Sequence, residues 1–350
     1  MIKAHGYAAH SADSELKPFA FERRNPGPRD VQIEILYCGI CHSDLHQARN
    51  DWQNSIYPMV PGHEIVGKVV AVGKEVKKFK VGDLAGVGCM VDSCRKCESC
   101  QADLEQYCEK NPTWTYNSTV RGGKDINFGG YSDQIVVDKH FVVKIPKNLD
   151  LKAVPPLLCA GITTYSPLKH WNVSKGQKVG IIGLGGLGHM GVKLAKAFGA
   201  HVVMITTSPE KGKDALKLGA DEVLISKDPA DMQKHLGSFH FLLNTIPNAH
   251  DLNPYVALLK RDGAMVIVGA LMALEPPLYG SGLIGARRTV AGSSIGGIAE
   301  TQEMLDFCGE HDIVSDVELI AIQDVNQAYE RLIKNDVKYR FVIDLASLKS

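Results

Sequence analysis

Cys94, Cys97, Cys100 and Cys108 fall within fifteen residues, in the spacing C-x2-C-x2-C-x7-C. Four thiolates this close can surround one tetrahedral zinc at about 2.3 Å each, leaving no position for water. A closed site of that kind holds a loop in shape and performs no chemistry. Disulfides are another use of clustered cysteines, but they need an oxidising compartment. An iron–sulfur cluster can use similar spacing. The reading taken here is structural zinc.

A second metal signal is open, and so it is the chemical one. Cys41 lies in Cys41-His42-Ser43-Asp44-Leu45-His46, His63 in Pro61-Gly62-His63-Glu64, and Cys159 in Leu157-Leu158-Cys159-Ala160-Gly161. Two thiolates and an imidazole are the ligand set of a catalytic zinc whose fourth position is left for water or substrate. Each residue alone is weak, since a lone cysteine is more often a small core hydrophobe. Their joint occurrence beside the four-cysteine loop carries the reading.

A third signal is Gly183-Leu184-Gly185-Gly186-Leu187-Gly188, preceded by the apolar run 178–182 and followed by a helical pattern through Val192, Leu194, Ala195 and Phe198. Strand, glycine turn and helix in this order form a dinucleotide-binding fingerprint. The glycines let backbone approach a pyrophosphate, and the helix N-terminus offers free N–H donors. After the second strand, 201–206, an NAD-binding chain usually carries an acid for the ribose hydroxyls. Here Thr207, Ser208, Lys211 and Lys213 follow instead, a set that could hold the 2′-phosphate of NADP(H). Ser208 before Pro209 also reads as a helix N-cap.

The elements around these motifs change character near residue 154. Before it, short β segments with turn punctuation dominate: residues 31–37 alternate apolar and polar, and 65–72 form another strand closed at Gly73-Lys74. After it, strands at 178–182, 201–206, 222–225, 239–244 and 264–268 alternate with helices at 188–198, 209–218 and 249–260, arguing for an α/β parallel sheet. The tail adds a helix through Met304, Leu305 and Cys308, a helix over 324–333 and a strand over 339–343. The expected domains are 1–153, 154–296 and 297–350.

Together these motifs resemble the zinc-dependent medium-chain alcohol dehydrogenases, in their cinnamyl alcohol dehydrogenase (CAD) type, including bacterial NADP-dependent aldehyde reductases. The matching stretches are Gly39-Ile40-Cys41-His42-Ser43-Asp44-Leu45-His46, Pro61-Gly62-His63-Glu64, the four-cysteine loop, Pro156-Leu157-Leu158-Cys159-Ala160-Gly161, the glycine turn, and Val337-Lys338-Tyr339-Arg340-Phe341-Val342. Residues 113–130 depart most from the plant enzymes. The resemblance implies a Rossmann domain inserted in a β-rich chaperonin-10-like catalytic domain, to which the tail returns. It implies two zinc ions per subunit, NADP(H), and a homodimer formed by edge strands near Arg288–Ser293. It makes Asp44 the carboxylate behind His63, adds Thr163 to the cofactor contacts, and puts Trp52, Trp114 and Ile295 on the substrate wall. Glu64 reads either as a transient exchange ligand or as a buried ion-pair partner. Ser43, two residues after Cys41, can donate and accept a proton, and His46 can pass it outward.

The function this supports is hydride transfer between NADPH and aldehydes or primary alcohols, mainly aldehyde reduction. The alternative is a polyol or amino-alcohol substrate, against which Cys159 argues, since polyol dehydrogenases of the superfamily generally carry glutamate there. A non-catalytic zinc-stabilised protein is the remote one. Charge is balanced at 39 basic and 39 acidic residues, which argues against nucleic acid or an anionic membrane as partner. The metal sets leave Cys38, Cys89 and Cys308 as core or free thiols. Metal-binding thiolates and the lack of an apolar signal core at the N-terminus lead to an expected cytoplasmic location.

Overall fold

The computed structural model describes residues 1–269 and 273–349, and the chain divides into two units. One comprises Met1–Cys159 and Gly296–Ser350, the other Ala160–Ile295. The boundaries therefore fall after residue 159 and before residue 296, not after 153 and before 297 as the sequence suggested. The cause is the short 3-10 turn Pro155–Leu158, whose residues are all buried. It packs on the strands Asp30–Ile40 and Ile65–Val72 of the first unit.

The first unit is built on a seven-stranded sheet. Its central strand, Asp30–Ile40, pairs antiparallel with Ile65–Val72 on one side and with Arg340–Asp344 on the other. The alternation read from the sequence appears as Val31, Ile33 and Ile35 pointing inward. Register does the rest. Cys38 lies opposite Ile65, and Phe341 opposite Ile40, so the residues just past these ends, 41, 63–64 and 340, gather at one corner of the sheet. The tail strand and its parallel neighbour Val317–Ala321 complete the sheet, as the expected return of the tail requires. The cysteine loop is a small lobe with little regular structure: a hairpin of Met90–Asp92 with Thr113–Trp114, the helix Glu98–Gln101 and a 3-10 turn, Glu105–Tyr107.

The second unit is a six-stranded parallel sheet in the order Glu222–Ile225, His201–Thr206, Lys178–Ile182, Phe239–Asn244, Leu259–Ile267, Thr289–Gly292. Strands covered on both faces need near-continuous apolar runs, and in His201–Thr206 every residue after the first is buried. Ile182, Val203, Ile205, Leu224, Phe239 and Leu242 pack into one core, each contributing roughly 1.5–3 kcal/mol on burial. Sequential strands run outward in opposite directions from Lys178–Ile182, which makes its carboxyl end a topological switch point. The strand expected at 264–268 begins earlier, at Leu259. Its turn-like Lys260-Arg261-Asp262-Gly263 stretch, with Asp262 at φ 64°, disguises the extension. The helix Ala160–His170 went unread, because it is buried on nearly all sides and contains Pro167, so it has no amphipathic period. Among the described residues no helix is long and apolar enough to cross a membrane.

Below this sheet, His235 is 5% exposed. Its Nδ1 faces the Lys178 ammonium at 2.8 Å and its Nε2 faces Glu222 at 3.4 Å. A neutral ring that accepts from lysine and donates to glutamate satisfies both. Burial first, and then Lys178, hold its pKa below the ordinary 6.5. The unfolded chain therefore binds this proton more readily. The resulting stability is complete above about pH 6.5 and is lost as pH falls below it. The urea midpoint is expected to drop between pH 7 and pH 5.5, and to drop less in His235→Gln. Equal pH slopes in the two proteins would exclude this origin.

Candidate active site

Strand Asp30–Ile40 delivers Cys41 to the start of the helix His42–Ala48. His63 and Glu64 immediately precede strand Ile65–Val72, and Cys159 ends the buried turn Pro155–Leu158. One donor atom from each of Cys41, His63, Glu64 and Cys159 lies within 4.8 Å of all the others. The sulfurs of Cys41 and Cys159 are 4.0 Å apart, close to the ~3.8 Å that tetrahedral geometry with 2.3 Å zinc–sulfur bonds demands. The donor set thus fits zinc. Cys41 is held well below the ordinary thiol range, first by its hydrogen bond with Cys159, which is pushed well up in return. A bound cation makes thiolates of both.

Asp44 is fully buried and accepts four hydrogen bonds. Oδ1 takes the His63 Nδ1 proton at 3.0 Å and the Gly62 N–H at 3.0 Å, while Oδ2 takes the Cys41 N–H at 2.8 Å and the Tyr131 hydroxyl at 3.2 Å. Glu64 is equally buried but differently served. Arg340 binds Oε1 and also donates to the Ile40 carbonyl at 2.9 Å, while Oε2 has no hydrogen-bond partner among the described residues. Burial pushes the Glu64 carboxyl up to about 7 even though Arg340 pulls against it. Residue 39 must be glycine for this approach, since a Cβ there would stand 1.9 Å from Glu64 Oε2.

Ser43 and His46 lie on the helix that Cys41 opens. Asp51 sits 2.7 Å from His46 Nδ1, fixing that nitrogen as the donor and leaving Nε2 free for proton exchange. Trp52 lies 5.8 Å from the His46 ring. Trp52 and Trp114 are 37% and 39% exposed, so each presents apolar surface. Ile295, in the other unit, holds φ 39°, which is unusual for a β-branched side chain.

Sequence reasoning missed three residues here. Cys89, expected as a core or free thiol, donates its Sγ–H to the Leu158 carbonyl at 3.8 Å, next to the ligand Cys159, and is held below the ordinary thiol range, first by Cys159. Asp51 had only a faint signal, an acid five residues after His46. Arg340 was visible only inside a matching stretch, because its pairing with Glu64 comes from sheet register.

In the lobe, one donor atom from each of Cys94, Cys97, Cys100 and Cys108 lies within the same 4.8 Å limit, with 3.9 Å between the sulfurs of Cys94 and Cys100. The backbone N–H of Cys97 donates to Cys94 Sγ and that of Cys94 to Cys108 Sγ. These donors favour the thiolate form.

The glycine turn is shaped for a dinucleotide. Gly183 holds φ +90°, and a Cβ on Gly188 would stand 1.9 Å from the Gly183 carbonyl oxygen. Nothing lies within 4 Å of a Cβ built on Gly185, so that position is open to a phosphate. Gly186 and Leu187 begin the helix Gly186–Ala197, which has no side-chain cap. Thr163 is buried on helix Ala160–His170. After strand His201–Thr206, Thr207 is exposed and Ser208 caps the next helix by accepting from the Lys211 N–H at 3.3 Å. The ammonium of Lys213 is engaged by Glu210 at 2.9 Å, whereas Lys211 makes no ion pair among the described residues.

Residues 27–147 match the model of the alcohol dehydrogenase GroES-like domain, and residues 186–310 that of the zinc-binding dehydrogenases. Aldehyde reductase YahK of Escherichia coli K12 is 56% identical over 348 residues, covering 99% of both chains. The chain belongs to the zinc-binding alcohol dehydrogenase family, CAD type. This dehydrogenase is also 53% identical to a probable mannitol dehydrogenase of Medicago sativa, over 99% of its own length and 96% of the relative's. It superposes on the CAD from Helicobacter pylori complexed with NADP(H), at 44% identity and TM-score 0.92 over 99% of each chain. As a family member it is an oxidoreductase of alcohols and aldehydes.

The two clusters predict two zinc ions per chain with unequal consequences on loss. Cys100→Ala is expected to unfold or aggregate the protein, since three thiolates cannot close the site and the lobe has little else to hold it. Cys159→Ala is expected to leave a folded dehydrogenase that binds cofactor with almost no turnover. Elemental analysis giving one zinc in the wild type, or a fully active Cys159→Ala, would contradict the assignment.

Proposed function

We propose that the chain is an NADP(H)-dependent aldehyde reductase, acting on aromatic and medium aliphatic aldehydes and their alcohols. The observation that carries this reading is the convergence of Cys41, His63 and Cys159, two thiols and an imidazole, at one buried corner. Bound there, zinc supplies Lewis acidity for a carbonyl or alcohol oxygen, and the nicotinamide supplies or accepts the hydride. Asp44 orients His63 through its Nδ1. Ser43 is the inner proton carrier, and His46, aligned by Asp51, exchanges the proton with solvent. Glu64 pairs with Arg340 through one oxygen, and its other oxygen would be the donor for an exchange-ligand role. Trp52 and Trp114, each exposing apolar surface, supply an apolar wall, which suits aldehydes better than polyols. The relative named mannitol dehydrogenase keeps a polyol as the second reading.

The preference for NADP(H) rests on the end of strand His201–Thr206, which carries no acid. Thr207, Ser208 and the unengaged Lys211 would receive the 2′-phosphate. Charge-assisted hydrogen bonds are worth about 1.5–3 kcal/mol each, so two favour NADPH by at least about a hundredfold. The protein is read as a cytoplasmic homodimer. Strand Thr289–Gly292 ends the parallel sheet, and a two-fold axis beside it would continue the sheet into a second copy. A monomer mass at sedimentation equilibrium would remove the dimer.

The test is a kinetic profile over benzaldehyde, cinnamaldehyde, hexanal and mannitol with each cofactor. Aldehyde reduction with NADPH is expected to dominate, and Thr207→Asp to reverse the cofactor preference. Equal kcat/KM with NADH and NADPH in the wild type would overturn the cofactor assignment, and mannitol as the best substrate would overturn the aldehyde reading. Ser43→Ala is expected to slow turnover by about 10²-fold, and an unchanged rate across pH would show that the proton leaves by another route.

A further inference from the structure

We propose that Tyr131 is a positioning residue for the zinc-binding histidine, acting through Asp44. The inference rests on zinc being held at Cys41, His63 and Cys159. Tyr131 is 0% exposed, as is Asp44. Its hydroxyl donates to Asp44 Oδ2 at 3.2 Å, the oxygen that also takes the Cys41 N–H. The other oxygen takes Gly62 N–H and His63 Nδ1–H. Each carboxylate oxygen thus has two donors, and three of the four belong to backbone or to the ligand itself. Tyr131 supplies the fourth, from a side chain that is not a metal ligand.

The ring is fixed to the segment that carries His63. The Tyr131 N–H donates to the Pro61 carbonyl at 3.0 Å, and the neighbouring Gly130 N–H donates to Gly62 O at 2.8 Å. Gly62 leaves room for the ring, because a Cβ there would stand 2.7 Å from Tyr131 Cδ1. On the far side, Tyr116 stacks on the His63 ring with centroids 5.8 Å apart and planes inclined by 26°. His63 is therefore held at its face by one tyrosine and at its Nδ1 by a carboxylate that a second tyrosine pins. A fully buried carboxylate that loses a donor bears the cost of an unmade hydrogen bond. Deleting the hydroxyl leaves Oδ2 held by the Cys41 N–H alone and loosens the carboxylate that orients His63. Loss of such an outer hydrogen bond typically costs 10–100-fold in metal affinity.

The four-cysteine site in the same chain is an internal control, since nothing in this network touches it. Zinc release from the fully loaded protein is followed with a chromogenic chelator, alongside circular dichroism and the urea midpoint. Wild type is expected to yield two equivalents, and one equivalent would refute the underlying zinc reading rather than this inference. Tyr131→Phe is expected to fold as wild type and to release one equivalent about tenfold faster, leaving the other unchanged. Tyr131→His, which keeps a ring donor, is expected to recover part of the difference. In an Asp44→Asn background, Tyr131→Phe is expected to add less than twofold. Unchanged release from Tyr131→Phe, equal acceleration of both equivalents, a full effect persisting without the Asp44 carboxylate, or failure of Tyr131→Phe to fold would each overturn the proposal. The last would mean that the hydroxyl serves folding at large.

Discussion

The meeting of Cys41 with His63 depends on one antiparallel pairing. Strand Asp30–Ile40 runs beside Ile65–Val72 with Cys38 opposite Ile65, and the Gly39 N–H donates to the Glu64 carbonyl at 3.0 Å. Side chains alternate faces along a strand, so a slip of one residue would send the buried set to the opposite face. The apolar residues Val31, Ile33 and Ile35, all inward, forbid that slip. Core hydrophobicity thereby sets the position of two polar ligands that contribute nothing to it. The same strand receives Arg340–Asp344 on its other side, which brings Arg340 to Glu64 across a sequence separation of 276 residues.

That corner concentrates buried ionisable groups. Asp44 and Glu64 are both fully buried, and Arg340 is 4% exposed. Burying charge is costly unless every charge finds partners. Asp44 finds four donors and is immobilised. Glu64 finds Arg340 on one oxygen and, among the described residues, no partner on the other, so it retains an unsatisfied acceptor beside the ligand cluster. Two carboxylates twenty residues apart in the chain thus differ in kind: one is held by four donors, the other is a buried ion-pair partner of Arg340. The difference comes from partner count, not from depth.

Local spacing was fully legible in the sequence. The four-cysteine loop, the glycine turn and the strands at 65–72, 178–182, 201–206, 222–225 and 239–244 depend on residues within a few positions of one another, and periodicity reports them. Contacts set by sheet register were not legible. Arg340 with Glu64, Tyr131 with Asp44 and Cys89 beside Cys159 lie 276, 87 and 70 residues apart, and no local pattern encodes them. The helix Ala160–His170 and the strand Val317–Ala321 escaped for related reasons. The helix is buried too completely to show a polar face, and the strand has only half-exposed residues and no clean alternation.

The division of the first unit between the two ends of the chain has a consequence for synthesis. Residues 160–295 form a contiguous unit and can fold as soon as they leave the ribosome. The catalytic unit cannot, because its central strand lacks a neighbour until Arg340–Asp344 is made. Between Cys159 and Arg340 lie roughly 180 residues, or about 10–35 s of translation at ordinary rates. During that interval the thiols of Cys41, Cys89 and Cys159 belong to a sheet with an open edge. A nascent chain in this state offers a foreign strand the open side of Asp30–Ile40, and the last strand to be translated is the one that covers it.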